Sequence, residues 1–385
     1  MGRRQYTITN LILFIGSLFA LSFTVQAKAQ NMNQIPVYMD KVKTNSPMVS
    51  ITICEPGTNH CQTINRISLD TGSIGLRLNA SVLKLKLPYV TNQQGGHVDE
   101  CVDFGGGSTY AGPIQYADVR VGGLVAKKLR IQFYNDKVDL GGQGGYGGCE
   151  STATSNGILG IGPLDKYECP SSVGSCPTYF LCKEGSLECS PLSQLPPHVA
   201  LDNPIYNLES NNNGFMLSFP KLNQPINGPI TGKLTFGVGF QQDNSIPKKD
   251  QIFGLNKGGF LPVVFPNQLH STLLFDTGVM DYFFPANPGN VTPCDNNSPL
   301  LYLLCPTKPV NVSLQIGATS PYRSISMVLG NPHPRLTLNP YLAVVVRRYN
   351  ATLLGMPYFY GHQIYFGLPD VSGKKYPNGF VAIHM

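Results

Sequence analysis

The sequence predicts an all-β protein built from two similar lobes, and three observations predict it. Apolar and polar residues alternate in many short runs, while long amphipathic helical patterns are missing. The tripeptide Asp-Thr-Gly occurs twice, in Ser68-Leu69-Asp70-Thr71-Gly72-Ser73 and in Leu274-Phe275-Asp276-Thr277-Gly278-Val279, each time directly after an apolar run. Each copy is followed much later by two apolar residues and a glycine, in Asn156-Gly157-Ile158-Leu159-Gly160 and in Thr352-Leu353-Leu354-Gly355. At average usage of roughly 5–7% per residue type, a given tripeptide arises by chance on the order of once in 10⁴ positions. Two copies in 385 residues therefore signal a duplicated architecture.

Taken in order, the chain opens with Arg3 and Arg4, a mostly apolar stretch from Leu11 to Val25, and Ala27-Lys28-Ala29. This is the pattern of a secretory leader cut before Gln30. The apolar stretch is shorter than the about 20 residues a membrane span needs. The only later candidate, Leu342 to Val346, ends at Arg347-Arg348. The expected organisation is a leader over residues 1–29, a first lobe over 30–222 and a second over 223–385. The boundary falls in the Pro/Asn/Gly-rich stretch after Phe215-Met216-Leu217-Ser218-Phe219. The expected location is secreted or periplasmic, with no stable membrane insertion after leader cleavage.

Val49-Ser50-Ile51-Thr52-Ile53, Ala117-Asp118-Val119-Arg120-Val121 and Leu129-Arg130-Ile131-Gln132-Phe133 read as strands, with Gly122-Gly123 opening the turn between the last two. Asp202 to Leu208 reads as one short helix, with Asp202 or Asn203 as its cap and Pro204 at its first position. Residues 139–148 and 163–197 read as inserted loops, the first Gly-rich and the second rich in Cys, Pro and Ser. Gly142 to Gly147 matches G-x-G-x-x-G, but no helical pattern follows it, so it does not read as a nucleotide site. The net charge of +6 is spread along the chain, which argues against nucleic acid as a partner.

All ten cysteines follow the leader, and an even count in an exported chain reads as disulfides. Cys54 and Cys61 bracket a turn and are expected to close a hairpin. Cys294 and Cys305 are plausible partners. Cys169, Cys176, Cys182 and Cys189 staple their own segment, and Cys101 and Cys149 are left to pair across a longer loop. Zinc held by the four crowded cysteines is the rival reading, although their spacing lacks the paired C-x₂₋₄-C form. The histidines are scattered, and neither H-E-x-x-H nor G-x-S-x-G occurs. Nothing points to a cofactor or a metal.

An Asp-Thr-Gly turn places a carboxylate at a strand end and lets another backbone approach closely at the glycine. Two such carboxylates facing each other at about 3 Å cannot both ionise, so one keeps a proton. The charged one can then activate a water while the neutral one donates to a carbonyl. On the two Asp turns and the two glycine segments, the chain resembles the pepsin-like aspartic peptidases, in the style of a bacterial group of exported, uncharacterised pepsin-related proteins. The resemblance implies a bilobal double β-barrel with an active-site cleft between the lobes.

It further implies that Asp70 and Asp276 are a catalytic dyad. Thr71 and Thr277 would lock the two turns together, Gly72 and Gly278 would shape them, and Ser73 would hydrogen-bond Asp70. The glycine segments would cross behind the turns. Gly232 to Gly237 would open the second lobe, and Phe104 to Ser108 would belong to a flap, with Phe104 and Tyr110 as flap candidates. The implied protein is an exported monomeric endopeptidase that acts on a peptide or protein substrate and needs no metal or cofactor.

Three positions depart from the family. Val279 stands where Ser or Thr is usual, although retroviral relatives carry an apolar residue there and remain active. Phe104 lacks the hydroxyl of the flap tyrosine. The chain has no tryptophan, and Arg77 lies near the place of the family's tryptophan partner to that tyrosine. These departures motivate a second reading, a non-catalytic pepsin-like binding or inhibitor module. Asp70 follows the leader so closely that an inhibitory pro-segment is not expected.

Overall fold

Alternation in the sequence becomes alternation of exposure. Along Arg323–Leu329, Ile325, Met327 and Leu329 are buried while the residues between them are exposed. The computed structural model describes Gly2 and residues 32–92, 95–104, 109–134, 155–168, 177–183, 189–192, 199–239, 242–294, 301–317, 323–333, 336–347, 349–369 and 375–384. Apart from Gly2, the expected leader lies outside the described residues, as do the Gly-rich run 139–148 and flap residues 105–108.

The strands form one 15-stranded and one 8-stranded sheet. Within the first, Pro47–Cys54, Cys61–Asp70, Gly157–Ile161, Ile74–Asn79, Leu124–Tyr134 and Thr109–Val121 are neighbours in that order. Pairing of Thr52, Ile53 and Cys54 with Arg120, Val119 and Asp118 closes them into a 6-strand barrel. The 8-stranded sheet is a half-barrel that contains His270–Phe275, Tyr282–Phe284 and Ala351–Leu354. Gln34–Met39, Thr231–Phe236, Gly214–Ser218 and Gln363–Gly367 continue the 15-stranded sheet beyond the barrel in that order. One apolar cluster runs from Ile53 and Leu69 in the barrel to Phe275 and Leu314 in the half-barrel. The all-β, bilobal expectation holds.

Local expectations hold as well. Thr109–Val121 and Leu124–Tyr134 form a hairpin across Gly122, whose φ of +59° suits a residue without Cβ. The short helix is a 3₁₀ turn over Pro204–Asn207, and Asn203 is its cap, accepting from the Ile205 amide. Asp202 is taken up by Arg130. Disulfides join Cys54 to Cys61, Cys182 to Cys189 and Cys294 to Cys305. Cys101 is also disulfide-bonded, while Cys149, Cys169 and Cys176 lie outside the described residues. One expectation is corrected. The segment 163–197 is not all loop, because Thr178–Cys182 and Cys189–Pro191 are strands that pair with each other. Thr178–Cys182 also pairs with His97–Asp103. Cysteine, proline and serine content hid a strand whose partner lies far back in the chain.

The two glycine segments thread through the Asp turns. Gly157–Ile161 runs parallel to Cys61–Asp70 and antiparallel to Ile74–Asn79, so it lies between the two arms of the first turn. Ala351–Leu354 does the same between His270–Phe275 and Tyr282–Phe284. The glycine ending each segment is required by contact. A Cβ on Gly160 would lie 2.7 Å from the Ile74 carbonyl carbon, and one on Gly355 would lie 2.1 Å from the Asp281 oxygen and 2.4 Å from the Val279 oxygen. Gly355→Ala is therefore expected to cost about 3 kcal/mol or to prevent folding. Gly289→Ala, whose Cβ would meet only Val312 Cγ2 at 3.8 Å, should stay within about 0.5 kcal/mol of wild type in a urea titration.

Candidate active site

Asp70 ends its strand and Asp276 directly follows the strand His270–Phe275. The turns that hold them are joined by the two threonines. Thr71 N–H donates to Thr277 Oγ1 at 3.1 Å, and Thr277 N–H donates to Thr71 Oγ1 at 3.0 Å. Each hydroxyl then donates across to the other strand, Thr71 to the Phe275 carbonyl and Thr277 to the Leu69 carbonyl, both at 2.8 Å. Both threonines are buried.

This brings the carboxyl groups together. The charge of Asp70 acts on the Asp276 carboxyl, and each carboxyl lies over the other turn's glycine. A Cβ on Gly72 would be 2.4 Å from Asp276 Cγ, and one on Gly278 would be 2.9 Å from Asp70 Cγ. The turns are not equivalent in donors. Asp70 accepts from Gly72 N–H at 2.7 Å and from the Ser73 hydroxyl at 2.6 Å. Asp276 accepts from Gly278 N–H at 2.8 Å and, through Val279, from backbone alone. Burial first, and then the charge of Asp70 beside it, push the Asp276 carboxyl well above the usual carboxylate range. Burial and the neighbouring acid thus favour the neutral form of Asp276.

The two carboxyls sit at the base of a cavity of about 460 Å³. Phe104, Tyr110 and Ile158, which pack together, form one wall, and Met280 and Lys43 also line the cavity. Both flap candidates are therefore at the site. They belong to the hairpin of His97–Asp103 with Thr109–Val121, in which Val102 pairs with Tyr110. Their rings meet edge to face at 5.3 Å, and Tyr110 meets Tyr134 in the same way at 4.8 Å. Burial raises the Tyr110 phenol to about 12, with Arg77 opposing and Asp70 adding to the shift, so its hydroxyl feels both groups.

Sequence reasoning missed two supports. Asn45 is buried in a left-handed conformation (φ +51°), and its amide donates to the Met280 carbonyl at 2.8 Å and to the Asn339 carbonyl at 2.6 Å. It thereby ties the loop bearing Lys43 to the second Asp turn. The second support is a buried charge cluster around Arg77, described below. The one signal for Asn45 was its place in the turn-forming run Thr44-Asn45-Ser46-Pro47, which does not name its partners.

Fold and site together define the class: an all-β, bilobal, pepsin-like fold with an Asp-Thr-Gly turn from each lobe at the base of a cleft. The solved structure of the aspartic proteinase from Irpex lacteus is similar, with a TM-score of 0.52 over 91% of this chain and 96% of that one. At 12% identity the likeness is one of fold. The chain belongs to the family described as "Protein of unknown function (DUF3443)", whose profile matches residues 27–383. A search of the curated proteins found no match.

One further acid distinguishes the second turn. Burial raises the carboxyl of Asp281 to about 7, opposed only by its own backbone amide. A carboxyl raised on folding adds stability that is complete below its ordinary value and is lost as pH rises through the folded value. Wild-type melting temperature should therefore fall as pH is raised through about 7, and Asp281→Asn should lessen that fall. Thermal melts of both proteins across this range check it; parallel curves would refute the assignment.

Proposed function

We propose that this chain is an exported aspartic endopeptidase, and the observation that carries the reading is the pair of facing carboxyls on cross-locked turns. Asp70, which accepts the Ser73 hydroxyl and the Gly72 amide, acts as the carboxylate. It takes a proton from a water held between the pair, and the water oxygen bonds to the carbonyl carbon of the peptide. Asp276 gives its proton to the carbonyl oxygen, so a neutral gem-diol forms. Asp70 then protonates the leaving nitrogen as the C–N bond breaks. A diol hydroxyl returns its proton to Asp276, which restores the starting state with acid and amine as products.

The disulfides fit an oxidising compartment, secreted or periplasmic. The leader over 1–29, the lobes over 30–222 and 223–385 and a monomeric state complete the reading. A second reading, a binding or inhibitor module, is favoured by Val279 and by a wall that presents Phe104.

Purified protein incubated with an unfolded protein from acid to neutral pH should cleave it, and pepstatin should stop the cleavage. Asp70→Asn and Asp276→Asn should each reduce the rate by at least about 10³-fold, since neither half can do both proton transfers. A folded wild type that is inert at every pH would overturn this function in favour of the binding module.

Val279→Thr tests the inequality of the two turns. A hydroxyl there can donate to Asp276 as Ser73 does to Asp70, which favours the carboxylate. The alkaline limb of kcat/KM against pH should then move down by roughly one unit. An unmoved limb would show that Asp276 does not set it.

A further inference from the structure

Arg77 is an anomaly: a guanidinium with no exposed side-chain surface, on the strand Ile74–Asn79 that leaves the first Asp turn. It donates to Glu100 at 2.8 Å, to both oxygens of Glu168 at 2.6 and 2.7 Å, and to the Ile74 carbonyl at 2.8 Å. The Tyr179 hydroxyl lies 3.2 Å from Glu100 and 3.1 Å from Glu168, and it accepts the Leu201 amide. Burial raises the Glu100 carboxyl well above its usual range, with Arg77 opposing the rise and the Glu168 charge adding to it.

Such a cluster is a poor source of stability, because apolar residues of the same volume are often as good or better. It does fix geometry. Its members come from three places: the arm of the first Asp turn (Arg77), the outer strand of the cleft-wall hairpin (Glu100), and the inserted segment (Glu168 and Tyr179). The inserted strand Thr178–Cys182 pairs with the hairpin's outer strand from His97 to Cys101. The ring of Phe104 rests on the Arg77 guanidinium, 5.2 Å from its carbon. Phe104 in turn packs on Tyr110, and both rings face the cavity above Asp70.

We infer that Arg77, clamped by Glu168, is a positioning residue for this cleft: it holds the Phe104–Tyr110 wall in place beside Asp70. Arg77 acts through Phe104 and does not meet the substrate. The effect on turnover rests on the peptidase reading; the effect on the wall does not.

The test uses a paired substitution, Arg77→Met with Glu168→Gln, which removes the cation and its closest carboxyl partner together. Two readouts are needed. The chain has no tryptophan, so Phe104→Trp supplies a single fluorescent reporter of the wall. In the otherwise unaltered protein this reporter should be weakly quenched by acrylamide, and adding R77M/E168Q should raise the quenching constant at least about threefold. This readout stands whether or not the protein cleaves peptides.

If it does, R77M/E168Q should raise KM about tenfold and leave kcat within about twofold, because the wall is loosened while the dyad is untouched. Arg77→Lys, which keeps the charge but loses the planar fork, should fall between the two. Unchanged quenching on loss of the pair would overturn the inference, as would a kcat that falls with KM unchanged. Should R77M/E168Q fail to fold, R77K decides by the same two readouts: wild-type quenching and wild-type KM in R77K would sink it.

Discussion

The reciprocal hydrogen bonding of Thr71 and Thr277 is the constraint on which the site depends. A threonine hydroxyl has one proton to give and can accept at the same time. Here each one accepts the other threonine's backbone amide and donates to the carbonyl at the end of the other lobe's strand. Four buried backbone groups, the amides of Thr71 and Thr277 and the carbonyls of Leu69 and Phe275, find partners across the lobe interface. Leaving any one of them unpaired would cost on the order of 1–3 kcal/mol. Neither lobe can therefore complete its own turn, and the register of one fixes the register of the other. The carboxyl contact and the nesting of each acid over the opposite glycine follow from that single exchange.

Behind the exchange lies a second layer. Gly157–Ile161 and Ala351–Leu354 fill the space between the arms of the turns, and the close approach at Gly160 and Gly355 leaves no room for a side chain. The strands on either side of these segments are the ones that deliver the two aspartates. Barrel and half-barrel thus meet at their most tightly determined points, and the cavity opens where that packing stops.

Much of this was legible from the chain, for a physical reason. A turn needing glycine, an apolar strand before it and a glycine segment behind it are all local patterns, and duplication made them stand out. Hairpins with their own closing disulfide, such as Cys54 with Cys61, and the Asn203-Pro204 cap are local too. What escaped was non-local. Glu168 and Tyr179 sit in a segment whose composition reads as loop, and they acquire meaning only beside Arg77 and Glu100. Asn45 reads as one polar turn residue among several, and its partners, Met280 and Asn339, come from the far lobe. Both flap candidates proved to be at the cleft, because residues flanking a hairpin tip share a face whichever of them matches a family position.

The two sides of the cleft are held by opposite means, and this shapes the chemistry between them. The Phe104–Tyr110 wall rests on an ionic cluster whose cation lies close enough to influence the Tyr110 phenol, which also feels Asp70. The Met280 carbonyl beside the second Asp turn is held by the neutral side-chain amide of Asn45. Asp70 has a serine hydroxyl as well as an amide, whereas Asp276 has only backbone donors and a valine beside it. Burial and the neighbouring charge of Asp70 favour the neutral form of Asp276. The duplicated motif supplies two like acids, and Ser73 beside one and Val279 beside the other give them unlike surroundings.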